Sequence, residues 1–337
     1  MSHGLRGLLA LVAVAGCTSV SLVPRAPDEG GPTWSRGESA HLYVETDLGP
    51  TGAHDLAHDL ELWRLAMTAA LFENAHPPRE GIEIIALRIG ELATLNPILQ
   101  GAFASFSEDD TPTLVLGPDQ PDLRTKIMRH ELAHAVIGEN LNDVPLWLNE
   151  GLATLLATAE LDESQGIVTW GRLEISGAHI YQHDLAPLDE VLRDNWPAFD
   201  FGRLEFSSAY LARTLAIEHP RELKCLLQHL AGTEGYAAAL AACFPDRSGW
   251  AAEYAREQFR KDEIVGTVRL GGPFKDAVVT VRPMTDAEVH GALARLHDVV
   301  ATTPMEKDRR AAIKATAEKQ RARARALGAS PSSPPAQ

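Results

Sequence analysis

Two periods of apolar residues run along this chain, and together they define its elements. Residues 41–46 (HLYVET) read as a short strand. Over 55–72, Leu56, Leu60, Trp63, Met67 and Leu71 recur at helical spacing and predict a helix. Residues 81–89 (GIEIIALRI) read as a strand, and GAFASFS with TLVLG, around SEDDTP, as a hairpin. A helix is predicted over 122–137, with Gly138 as its stop. A second follows over 144–158, with Asp143 as its cap and Pro145 in its first turn. QGIVTWGRL is a further strand, and helical spacing returns near 205–218, 220–231, 235–243 and 247–261. A β-like pair, EIVGTVRL and DAVVTVRP, precedes a helix near 284–300. No period is visible over 18–39, which is rich in Pro, Gly, Ser and charge and reads as a flexible tether.

Strands with interspersed helices, followed by a mostly helical half, predict an α+β fold. The expected main domain covers 40–261, with the sheet and the candidate site helices in 40–160 and the helical half in 161–261. A small β-pair plus helix is expected over 262–304, and a basic helix with a disordered tail over 305–337. Composition supports a sizeable core, at 45% hydrophobic and 23% charged in 337 residues. The formal net charge of −15 argues against nucleic acid as a partner, since binding a phosphate backbone needs a cationic surface. The 305–327 stretch is the local exception, with eight Lys/Arg against three Asp/Glu, and reads as a solvated helix.

The first seventeen residues stand apart. Arg6 precedes an apolar run over 8–15, too short to span a bilayer, and the run ends in Val14-Ala15-Gly16-Cys17. This resembles a bacterial lipoprotein signal peptide. The resemblance implies cleavage before Cys17, lipidation of that cysteine, and a membrane-anchored protein in the bacterial cell envelope, facing the periplasm or the exterior. Of the three cysteines, Cys225 and Cys243 remain. They either pair across an antiparallel helix hairpin or stay as separate buried thiols, and spacing does not decide between these.

Candidate chemistry concentrates between Arg129 and Thr154, in RHELAHAVIGENLNDVPLWLNEGLAT. His130 and His134 are four apart, about 40° of net rotation on a helix, so both imidazoles project from one face and can chelate one ion. Glu131 is displaced by about 100° from His130, beside a metal rather than on it, where a general base belongs. Glu150 lies sixteen residues after His134 on the next predicted helix, which a hairpin folds back toward the histidines.

His130-Glu131-Leu132-Ala133-His134 followed by Trp147-Leu148-Asn149-Glu150-Gly151-Leu152-Ala153 resembles the gluzincin zinc metallopeptidases, especially peptidase-MA-like proteins. The resemblance is strong over 125–158. It implies a zincin-like fold, Zn²⁺ held by His130, His134 and Glu150, and Glu131 as general base in peptide hydrolysis. It departs at Thr154, where many gluzincins carry an acidic residue that orients a histidine; a hydroxyl is a weaker acceptor. The resemblance also points to Tyr210 as stabiliser of the oxyanion, with His183 as fallback. The residues themselves fit equally a core tyrosine at helical spacing with Leu211 and Leu215. GAFASFS is the candidate edge strand for an extended peptide.

Two other histidine pairs share the spacing. His54 and His58 sit beside Asp55 and Asp59 on an expected exposed face, and His179 and His183 on an expected surface. The leading expectation is a lipid-anchored zinc metallopeptidase acting on peptide or protein substrates. The alternatives are a non-catalytic envelope lipoprotein with a structural zinc, and a zinc hydrolase of non-peptide amides.

Overall fold

The computed structural model describes residues 24–72, 81–88, 94–95, 102–105, 113–116, 121–173, 185–197, 200–257, 264–270, 278–303 and 305–328. The lipoprotein-like segment with Cys17, and the pair His179 and His183, lie outside them.

The most apolar strand candidate becomes the centre of the main sheet. All five residues of β3 (Ile82–Ala86) are buried. It runs parallel to β2 (Leu42–Thr46) on one side and to β5 (Thr113–Leu116) on the other. With β1 (Ser35–Glu38), β4 (Ala102–Ser105) and β9 (Thr280–Pro283), all antiparallel to their neighbours, the order is β4-β5-β3-β2-β1-β9. The fold is therefore α+β with a mixed sheet.

Strand alternation assigns the two faces. Leu42, Val44, Ile82, Ile84 and Leu114 pack against α1 (Gly49–Leu71) and α2 (Pro121–Asn140) through Leu56, Leu60, Met67, Leu132 and Val136. Ile85, Leu87 and Val115 face α9 (Asp286–Thr302) through Val289, Leu293, Leu296 and Val300. Two buried carboxylates share that second face. Glu45 accepts from Arg295 Nη2 at 2.6 Å and from Arg36 Nη1 at 3.2 Å, and Glu83 pairs with Arg295 Nε and accepts from Thr113 Oγ1. Each buried charge thus has a partner, the condition for burying it at all.

Three expectations are corrected here. Residues 24–38 are not tether: Ala26 and Trp34 are buried and β1 is paired on both edges. Gly37 permits this, since a Cβ there would lie 2.5 Å from the Ala53 carbonyl oxygen of α1. The two C-terminal strands are not a pair: β9 joins the main sheet, whereas β8 (Gly266–Arg269) joins β6 (Glu160–Asp162) and β7 (Ile167–Trp170) in a second sheet. The basic helix α10 (Lys307–Ala326) is not merely solvated, because it packs on α9 through Ile313 and Ala317. Asp28 ties the N-terminal segment to both helices, meeting His290 Nε2 at 2.9 Å and Arg323 Nη2 at 2.9 Å.

The helical half begins with a short turn, α4 (Leu188–Val191), and a long helix, α5 (Phe201–Glu218). Then come α6 (Pro220–Leu230), α7 (Tyr236–Cys243) and α8 (Trp250–Glu257). Cys225 and Cys243 are disulfide-bonded across the α6–α7 hairpin. Among the described residues, no helix is long and apolar enough to cross a membrane.

Candidate metal centre

Two helices meeting at a short loop build the site. Leu132, Ala133, Ala135 and Val136 bury one side of α2, and His130 and His134 leave its other side one above the other. Gly138 does not stop the helix, which continues to Asn140. The return helix α3 (Leu146–Leu156) starts from Pro145, and no side chain caps it. Asp143 instead accepts from the backbone N–H of Tyr236 at 2.9 Å, and so caps α7. Further bonds brace this loop on the helical half. Asn142 donates from N to Leu230 O (2.7 Å) and from Nδ2 to Gly232 O (2.9 Å), and Trp147 Nε1 donates to the Tyr236 hydroxyl (3.1 Å).

So placed, α3 carries Glu150 to the histidines. His130 Nε2 and His134 Nε2 are 3.0 Å apart, and Glu150 Oε2 lies 3.2 Å from the first and 3.4 Å from the second. Ligand atoms bonded at about 2.0–2.1 Å in a tetrahedral site sit about 3.3 Å from one another. The three separations and the donor set therefore fit one metal ion without rearrangement. Gly151 makes the approach possible from behind: a Cβ there would lie 2.5 Å from Ser208 O and 3.0 Å from Ala212 Cβ of α5.

The outer nitrogens are also held. Asn149 Oδ1 lies 3.1 Å from His134 Nδ1, and an amide oxygen only accepts, so that nitrogen carries a proton and Nε2 is the one left for a metal once the ring is neutral. Thr154 Oγ1 lies 3.4 Å from His130 Nδ1, in the place where the resemblance led us to expect a carboxylate. Asn149 received no role from the sequence; its position beside Glu150 was the only signal.

The ionisation pattern follows from the crowding. Burial works to lower the His134 pKa, but the hydrogen bond to Glu150 and the charges of Glu150 and Glu131 raise it, to about 9. Burial likewise works to raise Glu150, and hydrogen bonds from His130 and His134 bring it down to about 2. Glu131 is half-buried and close enough for its charge to act on both His134 and Glu205. Glu205, on α5, is a carboxylate that sequence reasoning missed. Its Oε1 lies 4.0 Å from His130 Nε2, and burial first, then the Glu150 and Glu131 charges, push its pKa up against the pull of His130. Only the packing of α5 on α3 reveals which face of α5 reaches the site.

Tyr210 is not brought to this cluster. It lies two residues, about 200° of helix, beyond Ser208, whose carbonyl faces Gly151. Its ring packs on Phe206 with centroids 4.8 Å apart. Burial raises its pKa, and the charges that act on it are those of the buried pair Arg213–Glu257. Of the two readings of Tyr210, the structure favours the core tyrosine. His54 and His58 stand on α1 with stacked rings, each beside the aspartate that follows it.

No protein-family model matches this chain, and no curated protein matches it either.

Proposed function

We propose that this chain is a zinc metallopeptidase of the gluzincin kind. One observation carries the reading: His130 Nε2, His134 Nε2 and Glu150 Oε2 converge within 3.4 Å of each other, with Glu131 beside the first ligand on the same helix. Three protein ligands is the number that catalytic zinc sites keep, against four in structural ones. A bound zinc ion activates water at neutral pH and polarises a substrate carbonyl.

The chain's own residues supply the rest. Asn149 and Thr154 hold the outer Nδ1 atoms of His134 and His130, so that both rings turn Nε2 inward. The Glu131 carboxylate takes a proton from the attacking water and returns it to the leaving amine nitrogen. β4 lies at the edge of the six-stranded sheet, next to α2, where an extended peptide can add as a further strand. The lipoprotein-like N-terminal segment supports attachment through Cys17 and a place in the cell envelope.

The test is Glu131→Gln, assayed on a broad peptide library together with zinc content. Hydrolysis should fall by about 10²–10⁴-fold while zinc remains stoichiometric. Unchanged turnover would remove Glu131 from the chemistry, and absence of zinc from the wild-type protein would remove the reading altogether.

A further inference from the structure

The α6–α7 hairpin carries a second group of metal-binding side chains. Cys225 and His229 are four apart on α6 and so share one face of it, and Cys243 is the last residue of α7. The two sulfurs and a ring nitrogen of His229 all lie within 4.8 Å of one another. The sulfurs are bonded to each other, with their Cα atoms 5.7 Å apart.

His229 has a further partner. Its Nδ1 lies 2.7 Å from Glu234 Oε2, in the segment joining the two helices. An ionised carboxylate only accepts, so Nδ1 carries a proton and the neutral ring keeps its lone pair on Nε2. Carboxylate–imidazole pairing of this kind orients metal-ligating histidines and raises their basicity. Cys243 is buried, and Cys225 and His229 are half-buried, so the group is shielded yet within reach of small solutes.

We propose that Cys225, His229 and Cys243 form a second metal site, opened by reduction of the disulfide and suited to Zn²⁺. Two thiolates with one imidazole are a ligand set that zinc favours. An external dithiol supplies two electrons and two protons; the S–S bond breaks, two thiols form, and the dithiol leaves as its own disulfide. Metal binding then makes two metal–sulfur bonds and releases both thiol protons to solvent. Disulfide and metal exclude each other, but each joins the hairpin at the same point. The hairpin is stapled by a covalent bond in oxidising surroundings and by an ion in reducing ones. Nothing in this depends on the first site.

The test titrates the full chain with Zn²⁺ before and after treatment with a phosphine, which reduces the bond, taking an oxygen from water, without binding zinc as a dithiol would. Reduction should add one equivalent of bound zinc, whatever the first site holds. Co²⁺ in the reduced protein should show thiolate charge-transfer absorption that the oxidised protein lacks, and Cys225→Ser with Cys243→Ser should remove both the equivalent and the band. Glu234→Gln should weaken the added equivalent by about tenfold, and His229→Ala by more than about a hundredfold. No added equivalent on reduction overturns the proposal, as does an equally tight one in His229→Ala. If His229→Ala fails to fold, Glu234→Gln decides, since its side chain is more than half exposed; unchanged affinity there overturns it too.

Discussion

Two histidine pairs in this protein have the same spacing, the same helical setting and an acidic neighbour, yet they differ in nearly every physical respect. The His54 and His58 rings lie nearly parallel, with interplanar angle 10° and centroids 6.2 Å apart, and each is next to its own aspartate. The His130 and His134 rings stand at 85° with centroids 4.6 Å apart and converge through Nε2. The difference comes from outside the helices that bear the pairs. α3 lies against α2 and brings Glu150 between the inner nitrogens and Asn149 and Thr154 against the outer ones. Spacing on a helix makes two imidazoles neighbours; a second helix turns neighbours into a candidate metal centre.

That contrast can be broken in a definite order. Glu150→Ala should cost the most, lowering zinc affinity by more than about a hundredfold by equilibrium dialysis. It would leave His130 and His134 closer in behaviour to His54 and His58. Gly151→Ala acts on the same contact from behind, forcing a Cβ against Ser208 O; it should destabilise the fold by about 2 kcal/mol in urea unfolding and weaken zinc binding with it. Removing the outer acceptors is milder: Asn149→Ala and Thr154→Val should each weaken zinc by about tenfold without moving the unfolding midpoint of the metal-free protein by much. His54→Ala with His58→Ala should do least, leaving zinc stoichiometry unchanged and stability within about 0.5 kcal/mol. A loss of bound zinc in that double variant would erase the distinction between the pairs.

What was legible in the sequence was whatever a single element encodes. His130, Glu131 and His134 share one helix, and Glu150 follows on the next, so period and spacing were enough to single them out. Strand identities over β2, β3 and β7 were likewise local. Partners chosen across the chain were not. Trp34 and Gly37 sit in a polar stretch that resembles a linker until β2 and β9 are found on either side of β1. β8 and β9 have similar compositions and go to different sheets, a choice made by register and burial rather than by either strand alone. Glu205 and Tyr210 are five residues apart on one helix, and which of them meets the site depends on the face that α3 covers. The small residues Gly151 and Ala212 at that crossing are the trace such packing leaves in the sequence.

The brace on the loop between α2 and α3 has a consequence in time. The partners of Asn142 and Trp147 lie about ninety residues further along the chain, as does the backbone group that Asp143 caps. During synthesis His130, Glu131, His134 and Glu150 would therefore emerge well before the segment that sets the gap between their helices. A nascent chain reaching only to about residue 200 would carry both helices of the candidate site and lack their calibration. The geometry of this candidate centre is thus completed late, when the α6–α7 hairpin docks, and a premature end to the chain would leave its two helices without that brace.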